Sequence, residues 1–204
     1  MKLANIISIV FHPIAIPTFI FAAIFGFAPI LARPLSDEAL LYILMAIFIT
    51  TFVIPLCSMG VLKLSDYISS LAMKDRKERV IPFLFVSVFY GITTYMFYAK
   101  MQLNKVLVLI MLAITLISFF IALITFFWKI SAHSAAIAGM MGFFISIMVR
   151  YSLETFLIPV ILSVLLVGVV MSARLYLNSH TPAEILGGGL LGFTLSFGMV
   201  FLFT

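Results

Sequence analysis

Residues 106–128 read VLVLIMLAITLISFFIALITFFW, an apolar run without a charged side chain. The hydrocarbon core of a bilayer is about 30 Å thick. A helix that rises about 1.5 Å per residue needs roughly 20 apolar residues to cross it. This run is therefore long enough to span a membrane as one helix.

Similar runs occupy most of the chain on both sides of this one. Charged residues separate seven apolar segments, roughly 4–32, 39–62, 80–99, 106–128, 133–149, 155–172 and 185–204. The first segment contains Pro13 and Pro17, and we expect it to kink or to begin with an interfacial turn. No internal repeat or linker interrupts the pattern. The sequence predicts one all-α domain, residues 1–204, folded as a polytopic transmembrane helical bundle with six to seven spans.

The composition agrees with a membrane protein and excludes a soluble globular domain. The 204 residues are 65% hydrophobic and only 9% charged, whereas soluble domains carry roughly 25% charged residues. The net charge of +5 comes from basic residues near the ends of the apolar segments, where lipid headgroups and phosphates lie. This placement predicts membrane lipids as partners and argues against nucleic acid. The sequence leaves the oligomeric state open.

The polar residues with possible chemistry fall into three loops. If all seven segments cross the membrane, the loops 63–79, 129–134 and 173–184 lie on one side, together with the N-terminus. Ionisable groups at the edge of a membrane are costly and are therefore candidates for function. The three loops contain His133, Arg174, His180, Glu184 and the basic run 74–79.

Two of these loops end in similar patterns. Thr181-Pro182-Ala183-Glu184 has the signature of a helix start, with Thr as the N-cap and Glu completing a capping box. This local role would by itself account for Glu184. The same geometry places His180 just before a helix N-terminus, where backbone amides favour an anion. Ser131-Ala132-His133 opens another segment in the same way. Each histidine alone is equally well explained as an interfacial side chain, but together they predict an anion pocket.

These residues resemble two motifs of the type 2 phosphatidic acid phosphatase superfamily (PAP2). Its third motif is Ser-Arg, five residues, His, three residues, Asp; here Arg174 and His180 have that spacing, and Glu184 replaces the Asp. Its second motif is Ser-Gly-His, which resembles Ser131-Ala132-His133. The resemblance extends from about residue 63 to the C-terminus and implies a PAP2-like core.

The first motif of that family, Lys, six residues, Arg-Pro, is only partly present. Arg79 is its best arginine, with Pro82 following three residues later. The position of the lysine is occupied by Ala72, so Lys74 or Arg76 would have to substitute. Arg76 is favoured because it lies one helical turn from Arg79. The alternative is that this basic run is only a topological signal.

The resemblance implies a role for each of these residues. His180 would attack phosphorus and become a phosphohistidine, while Glu184 would hold its other ring nitrogen. His133 would protonate the leaving oxygen and then activate water. The phosphate oxygens would be held by Arg174, Arg79, Ser131, Lys74 and Arg76. No metal and no other cofactor is expected. His12 lies on the same predicted face and is expected to be interfacial, with substrate contact as the alternative.

The function implied by the resemblance is that of a membrane lipid phosphatase. Its substrate would be a lipid phosphate or diphosphate of the undecaprenyl diphosphate, phosphatidylglycerophosphate or phosphatidate class. The substitutions Ala72, Ala132 and Glu184 leave two alternatives open: a non-catalytic lipid-phosphate binder or transporter, and a lipid phosphotransferase. The resemblance implies a bacterial inner membrane and favours the periplasmic face. The excess of Lys and Arg on the side of the pocket favours the cytoplasm instead.

Overall fold

The computed structural model describes residues 1–70, 73 and 75–204, and this part of the chain is helical and has no β-strand. Lys74, a predicted phosphate-binding residue, lies outside the described residues. The helices are α1 (Lys2–Val10), α2 (Ile16–Phe27), α3 (Asp37–Leu64), α4 (Lys77–Lys100), α5 (Lys105–Thr125), α6 (Ala132–Tyr151), α7 (Glu154–Tyr176) and α8 (Pro182–Phe203). Six of them, α3 to α8, are long and apolar enough to cross a membrane. The predicted all-helical membrane fold is confirmed at this level.

The first apolar segment is broken, as its prolines predict. Helix α1 ends at Val10 and α2 begins at Ile16, and His12 lies in the turn between them. Pro17 sits in the first turn of α2, where a missing N–H costs nothing. The segment therefore forms two short helices, α1 and α2, in place of one continuous span.

Side-chain caps fix where several helices begin. Ser36 accepts a hydrogen bond from the Ala39 amide at the start of α3, and Asn104 accepts one from Val106 at the start of α5, both 3.3 Å long. Ser131 caps α6 in the same way, and Thr181 caps α8. Each cap satisfies an amide that the first turn of a helix leaves without a partner.

A proline also shapes the middle of α3. Pro55 has no N–H to donate to the preceding turn, and a π-helical turn, Ile49–Val53, lies just before it. The Tyr90 hydroxyl of α4 donates a 3.1 Å hydrogen bond to the Thr51 carbonyl, four residues before the proline. The irregular turn therefore ties α3 to α4. Helices α4 and α5 are joined in turn by paired hydroxyls, Ser87 with Ser118 and Thr94 with Thr115.

Helix α6 is the most buried of the six long helices, and α8 is the helix packed most closely against it. A Cβ placed on Gly188 would overlap the Ser131 carbonyl oxygen, and one on Gly192 would overlap that of Ala135. The Ser131 amide donates a 3.2 Å hydrogen bond to the carbonyl of Glu184. Small residues of this kind let helix backbones touch within a membrane. As a result, the two helix starts that carry the predicted histidines lie side by side.

Candidate functional site

The predicted residues come from four helix ends. Arg79 lies at the start of α4, His133 at the start of α6, Arg174 at the end of α7, and His180 just before α8. Because consecutive long helices alternate in direction, these ends meet at one end of the bundle. The charges of Arg79 and Arg174 are close enough to act on His180, and those of Arg174 and His180 act on His133. The structure therefore gathers these residues in one cluster.

The His180 ring is held by the start of α8. Its Nδ1 lies 2.8 Å from the Glu184 carboxylate oxygen Oε2, which also accepts the Thr181 amide at 3.1 Å. The Thr181 hydroxyl in turn accepts the Glu184 amide at 3.3 Å, completing the predicted capping box. One carboxylate thus caps the helix and orients the histidine. Since a carboxylate only accepts, Nδ1 carries the proton and Nε2 of the neutral ring keeps its lone pair.

The surroundings of His180 favour the neutral ring. Burial lowers the pKa of His180 to about 4, and the positive charges of Arg79 and Arg174 act in the same direction. The hydrogen bond that Nδ1 donates to Glu184 works against this shift without overcoming it. At neutral pH the Nε2 lone pair is therefore available to attack an electrophile.

The His133 ring is fixed in a corresponding way by helix α1. Its Nε2 lies 3.1 Å from the backbone carbonyl oxygen of Ser8. A carbonyl can only accept, so Nε2 is the donor and Nδ1 is left free. Each of the two histidines therefore has one nitrogen anchored by an oxygen and one nitrogen available for chemistry, the arrangement that catalytic histidines need.

Ser8 is a site residue that sequence reasoning missed. It is buried, its carbonyl anchors His133, and its hydroxyl accepts a 3.3 Å hydrogen bond from Nη1 of Arg174. The one signal in the sequence is that Ser8 precedes His12 by four residues, about one helical turn. That spacing is too common to identify a functional residue.

The two arginines give the cluster an excess of positive charge. Arg79 is only 8% exposed, and its Nε donates to the Met73 carbonyl at 2.7 Å. The Nε of Arg174 is buried and has no hydrogen-bond partner among the residues that the structure describes. Within the described ranges neither guanidinium forms an ion pair, and the one ion pair found joins His180 to Glu184. Two guanidinium groups beside a single carboxylate form a site for an anion.

The remaining predicted phosphate ligands are placed differently. The Ser131 hydroxyl is fully buried and accepts hydrogen bonds from the Ser134 amide at 3.3 Å and the Ser134 hydroxyl at 2.9 Å. Arg76 is half-buried, and its backbone carbonyl accepts the Arg79 amide. Their contact with phosphate stays a prediction.

His12, expected to be interfacial, lies against the cluster. Its ring centroid is 5.5 Å from that of His133, with the two rings nearly perpendicular. Arg174 is also close enough to act on it electrostatically. All three histidines of the chain therefore lie at this end of the bundle. In the described residues no three His, Cys, Asp or Glu side chains converge as a metal site would require.

Comparison with known proteins adds no family to this picture. No protein-family model, no curated protein and no solved structure matches the chain. A functional proposal for this protein therefore depends on the geometry of the site and on the motif spacing within its own sequence.

Proposed function

We propose that this chain is an integral-membrane lipid phosphatase with a core like that of the type 2 phosphatidic acid phosphatase superfamily. It hydrolyses a phosphate or diphosphate group on a lipid through a phosphohistidine intermediate. The observation that carries the proposal is the pair of anchored imidazoles. His180 and His133 each have one nitrogen fixed by an oxygen atom and one free, beside two guanidinium groups.

In the first step, Nε2 of His180 attacks phosphorus and the bond from phosphorus to the leaving oxygen breaks. The imidazole becomes a phosphorylated imidazolium, whose positive charge the Glu184 carboxylate balances across the 2.8 Å hydrogen bond. His133 carries a proton on Nδ1 once the anionic substrate is bound, and it gives that proton to the leaving oxygen. The lipid product leaves with the proton.

In the second step, water displaces His180 from phosphorus. Nδ1 of His133 takes a proton from the water as its oxygen forms the new bond to phosphorus. Inorganic phosphate leaves, and both histidines return to their starting protonation states. Arg79 and Arg174 balance the charge on the phosphoryl oxygens in both steps, which is the main contribution that a protein makes to phosphoryl transfer.

The position of the cluster suits a lipid substrate. It lies at the end of six apolar helices, at the depth where the phosphates of lipid headgroups meet the helix ends. Large apolar side chains are exposed on the sides of these helices, for example Leu162, Leu165 and Leu190, as expected for surfaces that face lipid tails. We propose a bacterial inner membrane as its location; the resemblance of the motifs favours the periplasmic face for the site, and the excess of Lys and Arg favours the cytoplasmic face.

One observation favours a second candidate, a non-catalytic lipid-phosphate binder or transporter. The Ser131 hydroxyl is fully buried in the cap of α6, so a phosphate oxygen reaches it only if this helix start opens. Together with the substitutions Ala72 and Ala132, this would leave a pocket that holds the anion without turning it over. A lipid phosphotransferase would use the same residues with an acceptor other than water.

The test is phosphate release from phosphatidate, phosphatidylglycerophosphate and undecaprenyl diphosphate by the purified protein in detergent. We expect His180→Ala to lower the rate at least about 10³-fold, as loss of a covalent nucleophile does. The wild type should also yield an acid-labile, base-stable phosphohistidine. Equal rates in the two proteins would overturn the phosphatase, and tight binding without turnover would identify the binder.

A further inference from the structure

Within the described residues, two buried nitrogen atoms beside the proposed phosphoryl site have no hydrogen-bond partner. They are Nδ1 of His12, in the turn between α1 and α2, and Nε of Arg174, near the end of α7. A buried polar atom without a hydrogen bond costs free energy that a bound group can recover. Both residues adjoin His133, since its ring contacts that of His12 and its anchor Ser8 also bonds to Arg174. One ligand group beside His133 can therefore satisfy both.

The contact of His12 with His133 shows where that group would lie. The two ring centroids are 5.5 Å apart, and the rings are nearly perpendicular. In the proposed reaction His180 attacks phosphorus and His133 faces the leaving oxygen. His12, in contact with the His133 ring, is placed to reach atoms attached to that oxygen.

We propose that His12 and Arg174 bind the second phosphate of a lipid diphosphate, which would make His12 a specificity-determining residue. The inference rests on the proposed phosphatase function and narrows its substrate class. Arg174 reaches both phosphates, since it acts electrostatically on His12, His133 and His180. Its Nη1 is held by the Ser8 hydroxyl at 3.3 Å, which fixes the guanidinium between them.

The reaction on such a substrate is balanced with the groups already named. Nε2 of His180 attacks the terminal phosphorus, and the bond from this phosphorus to the bridging oxygen breaks. The bridging oxygen leaves as part of a lipid monophosphate and takes its proton from His133. His12 donates a hydrogen bond to a non-bridging oxygen of that leaving phosphate. Water then releases the terminal phosphate from His180.

The test uses inorganic pyrophosphate and inorganic phosphate as probes, because neither depends on the lipid tail or on turnover. Binding is measured from the thermal stabilisation of the purified full-length protein in detergent. We expect the wild type to bind pyrophosphate at least about tenfold more tightly than phosphate. His12→Ala should weaken pyrophosphate binding about tenfold to a hundredfold and change phosphate binding by less than about twofold.

Two further variants guard against indirect effects. His12→Asn places an amide near the position of Nδ1 and should restore part of the preference for pyrophosphate. Thr18→Val is the matched control, because its hydroxyl oxygen is also buried and, within the described residues, makes no hydrogen bond to the arginine and histidine side chains or to any other group. This variant should keep the preference of the wild type. If His12→Ala does not fold, the comparison of His12→Asn with Thr18→Val gives the answer.

The outcomes separate this inference from the proposed function. A wild type without preference for pyrophosphate, or a preference that survives His12→Ala, would overturn the subsite even if a lipid monophosphate is hydrolysed. An equal loss of both anions in His12→Ala would also overturn it, since His12 would then support a single phosphate site. If the preference for pyrophosphate depends on His12 but the protein hydrolyses no lipid, the diphosphate-binding site is supported and the proposed phosphatase function is overturned.

Discussion

The two ends of the bundle differ in whether any of their charged side chains are buried. At the end opposite the histidines, the basic side chains of Arg33, Lys100, Lys105 and Arg150 are all exposed. At the histidine end, Arg79 and His180 are each only 8% exposed. A solvated charge costs little, whereas a buried one is expensive unless it is paired. The difference indicates that the buried charges are kept for binding an anion and that the exposed ones serve solvation and topology.

Close backbone packing supports the histidine end. Near the start of α8, Gly188 and Gly192 bring the backbone into contact with α6, and Gly142 of α6 continues that contact against Ser196. Gly198 lies outside the contact, since a Cβ there would meet nothing within 4 Å. Rigid support of this kind keeps catalytic groups in fixed relative positions.

The largest effect should come from removing a cluster arginine and comparing it with an arginine at the other end. Arg174→Ala removes the guanidinium that acts on all three histidines and should lower kcat/KM for lipid phosphate about 10²–10³-fold. Arg150→Ala, at an exposed position, should stay within about twofold of wild type. Steady-state phosphate release in detergent measures both. Similar losses of kcat/KM in the two variants would mean that the burial of an arginine does not indicate a role in function.

Two glutamates, one at each end of the bundle, allow the same comparison with a smaller expected loss of activity. Glu184→Gln keeps an oxygen for the Thr181 amide but removes the charge that balances His180, and we expect kcat to fall about tenfold to a hundredfold. Glu154→Gln changes an exposed carboxylate at the opposite end and should leave kcat unchanged. Melting temperatures recorded alongside the rates show whether the capping box survives. An unchanged kcat in Glu184→Gln would show that the charge of Glu184 does not contribute to the reaction.

Two alanine substitutions within α8 compare a glycine in the contact with α6 at the histidine end with a glycine outside that contact, towards the other end. A methyl group at Gly188 meets the Ser131 carbonyl, so Gly188→Ala should destabilise the protein by about 2–3 kcal/mol and lower activity as His133 and His180 move apart. Gly198→Ala has nothing within 4 Å to meet and should be neutral or slightly stabilising. Thermal unfolding in detergent and phosphate release give both readouts. A wild-type melting temperature for Gly188→Ala would contradict the close contact of α6 and α8.

The features that the sequence predicts correctly are those that depend on local pattern. Apolar runs give the six long helices, and Thr181 to Glu184 gives the capping box, because a span and a cap are each written within about 25 residues. The convergence on one end follows from the alternation of spans. The contact of His133 with Ser8 joins residues 125 positions apart through a backbone carbonyl, an atom that every residue has. No residue type marks such a partner, so the sequence does not reveal Ser8 as a site residue. For the same reason it does not reveal that His12 lies beside His133.

The smallest expected effect concerns pH, and it belongs to the histidine end alone. The pKa of His180 is about 4 in the folded protein because of burial and the charges of Arg79 and Arg174, against about 6.5 in the unfolded chain. As pH falls below 6.5 the unfolded state takes up the proton first, so this contribution to stability is present above pH 6.5 and is lost between pH 6.5 and 4. At pH 5 the loss should be about 2 kcal/mol, which corresponds to a melting temperature lower by about 4–8 °C for a chain of this size.

His180→Asn removes this titration and leaves the other groups of the cluster in place. The difference in melting temperature between wild type and His180→Asn should therefore shift against the wild type as the pH is lowered from 7.5 to 5. Melting curves of both proteins in the same detergent at several pH values measure the shift. A difference that stays constant across this range would mean that His180 titrates in the folded protein as it does in water. The charges at the histidine end would then be as well solvated as those at the other.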